Sequence, residues 1–137
     1  MRYTLFDQRK DAILLVARVL LMVLFVLFGW SKLTGFSGTV GYMATTGAPA
    51  PELSAIIAVV MELIVGLALV VGFYTRPLAL VLAVYTLGAA FIGHHFWNMT
   101  GMVAYDNMIH FYKNVSIIGG LLFLTVTGPG KYSLDRR

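Results

Sequence analysis

The chain contains no cysteine. That excludes disulfides, iron–sulfur clusters, thiolate zinc sites and dithiol redox chemistry carried by this chain alone. Charge is nearly as scarce. Asp, Glu, Lys and Arg make up 12% of 137 residues, about half the fraction of a soluble domain. No basic run or stacking platform stands outside the apolar segments, so nucleic acid is not an expected partner. Metal-ligand spacing, a nucleotide loop and a nucleophile motif are also missing, so the sequence assigns neither a metal site nor catalytic residues. What is abundant is apolar: 59% hydrophobic residues and a mean hydropathy of +0.85. The length suits one domain, residues 1–137.

A membrane span needs about 20 mainly apolar residues. Four segments qualify: 12–31, 53–73, 77–97 and 107–127. Lipid offers backbone groups no hydrogen bonds, so each span is expected to be a helix, giving an all-α four-helix membrane bundle. Arg2, Arg9 and Lys10 before the first apolar run mimic a signal peptide. The run is too long for one, contains Arg18 and lacks a small-residue cleavage site, so it reads as a retained span. Between spans two and three, Thr75 is a candidate cap and Pro77 suits a first helical turn. Gly128-Pro129-Gly130 should stop the fourth helix. The connection from 32 to 52, rich in Gly and Pro, reads as a packed loop or short surface helix, or as a lid.

Lys and Arg near span ends set orientation. Arg2, Arg9, Lys10, Arg76, Lys131, Arg136 and Arg137 fall on one side, and only Lys32 on the other. The formal charge of +4 is thus one-sided, and both termini are expected in the cytoplasm of a bacterial inner membrane. Trp30, Trp97 and Tyr105 then form the outer aromatic belt.

Charges inside spans are the informative exceptions, because each costs roughly 2.5–3.5 kcal/mol at mid-bilayer. Counting a ~1.5 Å rise per residue puts Arg18 about 18 Å and Glu62 about 14 Å below the outer surface. Those heights suit an ion pair, which would fix helix register. Lys113 lies about 9–12 Å down with His110 slightly shallower. Arg18, Met22, Phe25, Gly29 and Lys32 share one helical face; Glu62, Gly66, Leu69 and Phe73 share another; Asp106, His110, Lys113, Ile117 and Gly120 share a third, with Asn114 at its edge. Of His94 and His95, the second shares a face with Gly88 and Phe91 and is taken as the inward one. Lys32 reads most simply as a cation snorkelling to the interface. The expected pocket therefore comprises Arg18, Glu62, His95, His110, Lys113 and Asn114, with Glu62 and Asp106 as proton relays. His95 and His110 would also be the pair for a b-type haem, for which two histidines at similar depth are insufficient. Asn98-Met99-Thr100 fits a glycosylation pattern that matters only in a eukaryotic secretory route.

Together these motifs resemble the DoxX family of small membrane proteins, and within it the bacterial inner-membrane type. The resemblance runs through Arg18, Gly29-Trp30-Ser31-Lys32, Gly47-Ala48-Pro49, Glu62 with Gly66, and Gly72-Phe73-Tyr74-Thr75-Arg76-Pro77. It continues in Lys113-Asn114, Gly119-Gly120, Thr127-Gly128-Pro129-Gly130 and Ser133-Leu134-Asp135-Arg136. It implies a four-helix bundle and a link to membrane redox chemistry, as a quinone-reducing subunit or as a scaffold in thiol and oxidative-stress assemblies. Any thiol role would fall to a redox protein partner. A quinone needs an apolar slot, donors for its carbonyls and proton carriers. His110, Lys113 and Arg18 suit the donors, and Phe25, Phe91 and Trp97 suit the flanks. Quinone, or a lipid-like small molecule, is the leading expected ligand. The alternatives are a non-catalytic scaffold and a small proton-coupled transporter acting through Glu62. Association with a second copy is compatible with the small-residue faces.

Overall fold

A computed structural model describes residues 5–135. Arg2, Arg136 and Arg137, used above for orientation, lie outside the described residues. A short 3-10 turn, Asp7–Arg9, leads into α1, Lys10–Thr34. Helix α2, Phe36–Thr45, follows at once. Then come α3, Pro51–Val71, α4, Thr75–Gly93, and, after a 3-10 turn at Phe96–Asn98, α5, Gly101–Thr127. The described residues are all-helical, and α1, α3, α4 and α5 are each long and apolar enough to cross a membrane. The connection after the first span is therefore a short helix, α2. The fourth span begins at Gly101 and reaches its expected end at Gly128, whose N–H bonds Leu124 O.

The core is a single seam of Met22, Phe25, Leu69, Ala79, Leu82, Ala83, Leu121 and Leu124. Large apolar side chains such as Leu20, Leu27, Val84, Phe123 and Val126 point outward. On a soluble protein such a surface would be an aggregation hazard; here it is the surface that lipid covers.

Glycine sets the closest approach. A methyl group at Gly29 would lie 2.6 Å from the Leu63 backbone nitrogen and 2.9 Å from the Glu62 carbonyl carbon. Only a hydrogen fits, so α1 and α3 touch backbone to backbone there. At that contact α3 is not regular: Val60–Val65 form a π-helical segment. Its wider turn carries Glu62 and Leu63 into the interior.

The end of the bundle that bears the termini is tied by charged side chains bonding to main-chain atoms. Arg18 is buried and donates from Nε to Val70 O (3.0 Å), from Nη1 to Pro129 O (2.5 Å) and from Nη2 to Tyr132 O (2.7 Å). Arg76 donates to Thr125, Val126 and Thr127 carbonyls. Val70 and the three Arg76 acceptors lie at the open ends of α3 and α5, where unpaired carbonyls and the helix dipole favour a cation, whereas Pro129 and Tyr132 belong to the segment after α5. Asp135 does the converse at the start of α4, accepting from Tyr74 N and Thr75 N at 2.8 Å each. Thr75 is therefore not the side-chain cap of this helix; a carboxylate 60 residues away is. Leu134 N–H to Val71 O and Asp135 N–H to Gly72 O complete the attachment. Gly72, with φ +73°, is required twice: its conformation suits glycine, and a methyl there would collide with the Ser133 side chain.

Candidate functional site

The charged side chains do not converge as their heights predict. Arg18 and Glu62 are not paired. Arg18 sends its guanidinium toward the terminus-bearing end, and Glu62 takes Lys32 instead, Nζ to Oε2 at 2.7 Å. Lys32 is a quarter exposed and points inward, not out along a lipid-facing surface. Tyr85 Oη donates to the other carboxylate oxygen, Glu62 Oε1, at 2.7 Å. Three helices, α1, α3 and α4, thus meet at one carboxylate. The π-helical segment supplies it, and Gly29 lets Lys32 come within reach.

A second polar group adjoins the first. Lys113 on α5 makes a 3.0 Å hydrogen bond to His110 Nδ1, and its ammonium is near enough to Lys32 for the two to repel. The His110 ring lies 5.1 Å from the His94 ring. His94 Nδ1 is 3.0 Å from Asn107 Oδ1, and the Asn107 amide is oriented by its bond from Nδ2 to Val103 O. These bonds assign complementary tautomers. A protonated Lys113 can only donate, so His110 Nδ1 accepts and its Nε2 carries the hydrogen. Asn107 Oδ1 can only accept, so His94 Nδ1 donates and its Nε2 keeps a lone pair. One histidine offers a donor and the other an acceptor.

An aromatic wall stands beside them. Phe91, Phe96, Trp97 and Phe111 contact one another at ring-centroid distances from 5.2 to 5.9 Å, Tyr112 joins Phe111 at 5.5 Å, and several of these pairs are edge-to-face. Among the described residues no group of three His, Asp or Glu is placed to hold a metal ion.

Of the expected pocket residues, His110 and Lys113 are brought together, and Glu62 lies on the neighbouring helix pair. Asn114 is half-buried at the edge of the same stripe. Asp106 is exposed one turn before His110. Arg18 belongs to the other end of the bundle. His95 is not the inward histidine: α4 ends at Gly93, so neither histidine obeys helical spacing, and His95 Nδ1 turns back to Ile92 O at 2.9 Å. His94 faces α5 instead. A haem between His95 and His110 has no support in this arrangement, since His94 already lies against the His110 ring. Tyr85, Asn107 and the pairing role of Lys32 were not expected. Lys32 shares a face with Arg18 and Gly29, a signal that favoured an inward lysine over a snorkelling one. A hydroxyl at mid-span is a comparable signal for Tyr85.

The family model for DoxX matches residues 13–95. This chain belongs to the DoxX family. It is 54% identical over 137 residues to inner membrane protein YphA of Escherichia coli (strain K12), covering all of this chain and 98% of that protein. It is 42% identical over 127 residues to inner membrane protein YqjF of the same organism, covering 93% and 92% of the two chains. A shorter match, 39% identical over 70 residues, relates half of this chain to 23% of a Surfeit locus protein 4 homolog of Schizosaccharomyces pombe. No solved structure matches the chain. Membership of this family, these relatives and four spanning helices make the chain a multi-pass inner-membrane protein. The family match includes Lys32, Glu62, Tyr85 and His94 and stops before His110 and Lys113.

Proposed function

We propose that this DoxX-family protein is a single-domain membrane subunit that binds a quinone, or a similar ring-and-tail compound, from the bilayer. Both termini lie in the cytoplasm, and the site lies in the outer half of the membrane. One observation carries the reading: a donor histidine backed by Lys113 and an acceptor histidine backed by Asn107 stand together beside an aromatic wall. A quinone carbonyl would accept from His110 Nε2–H, and a quinol hydroxyl would donate to His94 Nε2. The rings of Phe91, Trp97 and Phe111 offer edges and faces for stacking. Asp106, exposed one turn from His110, is the route for protons to water. Glu62 has both oxygens engaged, so relay through it requires breaking the Lys32 or Tyr85 bond. Electrons for any reduction would come from a redox protein partner.

The test is mass spectrometry of small molecules extracted from gently purified protein, wild type against Lys113→Ala. Quinone retained by the wild type and lost from the folded variant is expected. Quenching of tryptophan fluorescence by an added quinone analogue gives a second readout through Trp97. Folded wild-type protein that neither retains quinone nor responds to the analogue overturns the reading. A scaffold role without chemistry is the second reading, favoured by how fully Arg18, Arg76 and Glu62 are engaged within the chain. It expects Arg18→Gln and Lys113→Gln to reduce partner recovery without removing any bound small molecule.

A further inference from the structure

The charges inside the bundle, at the end away from the termini, do not balance. Lys32, Lys113 and Glu62 lie there, two cations against one carboxylate. Glu62 has both oxygens engaged, one by Lys32 and one by Tyr85, each at 2.7 Å. Among the described residues Lys113 Nζ bonds only His110 Nδ1, at 3.0 Å, and the charge it faces is Lys32, another cation. Asp106, exposed two turns earlier on α5, forms no ion pair with it among the described residues.

Neither lysine is at the surface. Gly29 abuts Leu63, which stands about 18 Å below the start of α3 at Pro51. Lys32 is three residues above Gly29, so roughly 13 Å below that start. Lys113 is about 18 Å below the start of α5 at Gly101. A helical side chain leans toward the N-terminus of its own helix. Lys32 therefore leans down into the bundle, and Lys113, on a helix that runs the opposite way, leans up toward it. An ammonium at such depth without a counter-ion is costly, and such groups mark ligand or ion sites.

The seam between α1 and α5 is loosely tied at this level. The two helices meet at Gly120, where a methyl would lie 3.1 Å from Leu21 Cδ1, about 10 Å further down than Lys113. Among the described residues no hydrogen bond or ion pair joins α1 to α5, and α5 is the least buried of the four spans. Phe28, with Lys32 Nζ 5.6 Å over its ring, is exposed on one side of the seam and His110 on the other.

We propose that this seam binds a lipophilic weak acid as its anion, the charged oxygen accepting from Lys113 Nζ and Lys32 Nζ and the tail lying along Phe28. Each ammonium has two N–H groups left to donate. Depth selects the class. A phospholipid phosphate is permanently charged and stays at the interface, above these lysines. A weak acid enters the bilayer neutral, releases its proton along the Asp106 route to water and is held as the anion. An acidic hydroxyquinone and a fatty acid share this chemistry. The inference deepens the quinone reading by giving the ligand a charge, and it rests on that reading's site at His110 and Lys113.

The experiment uses the full chain in a mild uncharged detergent with two matched pairs of probes. One is an alkyl hydroxynaphthoquinone with its neutral methyl ether, and the other is dodecanoic acid with dodecanamide. Quenching at Trp97 reads the first pair and native mass spectrometry the second, with both acids ionised in solution. Each acid is expected to bind about tenfold more tightly than its neutral partner, the value of one charge-assisted hydrogen bond. Lys113→Met should abolish that preference and Lys113→Arg should keep it. Glu62→Gln frees Lys32 and should tighten the acids further, which a loss of fold would not do. Preference in the ring pair alone supports an acidic quinone. Preference in the fatty-acid pair alone supports the anion site and counts against the quinone reading. Equal binding within both pairs, or a preference that survives Lys113→Met, overturns the proposal and leaves the quinone reading standing. Folded protein that binds none of the four probes overturns both.

Discussion

Removing the lysine from the Lys32–Glu62 pair should cost far more than its exposed position in the sequence suggests. At 2.7 Å and an effective dielectric of about 20, the attraction is roughly 6 kcal/mol before desolvation is charged against it. Glu62 retains only 11% of its side-chain surface and Lys32 24%. Lys32→Met leaves the carboxylate stranded, for which breaking a buried pair costs about 3–5 kcal/mol. The partial exposure of Lys32 argues for the lower figure, about 3 kcal/mol, or roughly 10 °C in melting temperature for a chain of this size. Glu62→Gln keeps an acceptor for Tyr85 and should cost about 1 kcal/mol. In the double variant neither charge is stranded, so the two losses should not add, and the coupling should be about 2 kcal/mol. The assay is reversible unfolding in mixed micelles followed by tryptophan fluorescence, with wild type, both single variants and the double variant. A parallel cycle with Arg18→Gln and Glu62→Gln should show coupling under about 0.5 kcal/mol, because those residues share no bond. Coupling of Glu62 with Arg18 but not with Lys32 would refute the reasoning outright.

Three further outcomes follow from the same geometry. Tyr85→Phe removes a hydrogen bond to a charged group and should destabilise by about 1.5–3 kcal/mol in the same unfolding assay. Gly29→Ala forces α1 and the π-helical segment apart. It should cost about 1–3 kcal/mol, and a cysteine cross-link engineered across that seam should form more slowly in the variant. Asp135→Ala uncaps α4 and should cost about 0.5–2 kcal/mol, with hydrogen exchange at Tyr74 and Thr75 N–H rising before that of the rest of the helix.

The number and rough limits of the spans are legible in the sequence because lipid imposes a single rule on every segment: apolar outside, backbone satisfied within. Details that depend on side-chain direction are not. Counting residues gives the height of a Cα, but an arginine side chain spans more than a helical turn and can run either way along the bundle. Arg18 therefore bonds carbonyls at the other end of the bundle from Glu62. The turn that aims Glu62 at Lys32 and Tyr85 is equally hidden: nothing in Val60-Met61-Glu62-Leu63-Ile64-Val65 distinguishes a π-helical segment from regular helix. His94 and His95 were assigned by a spacing that holds only inside a helix, and α4 stops just before them. The caps supplied by Asp135 and Arg76 join residues roughly 50–60 positions apart, beyond any local pattern. By contrast, the Lys113–His110 bond lies three residues apart on one helix, and the stripe on α5 was sufficient to find it.

The bonds of Arg18 set a schedule for assembly. Two of its three carbonyl partners, Pro129 and Tyr132, follow it by 111 and 114 residues. A ribosome adding 5–20 residues per second makes that separation last roughly 5–20 s. During that interval the first span must enter the membrane with an arginine that lacks two of its three hydrogen-bond partners, against a penalty of roughly 2.5–3.5 kcal/mol for a charge at mid-bilayer. The first helix is thus committed to the bilayer before its arginine is fully bonded, and it stays so until Pro129 and Tyr132 arrive to receive the guanidinium. Mutations near Pro129 should accordingly appear in the cell as failures of insertion at the opposite end of the sequence.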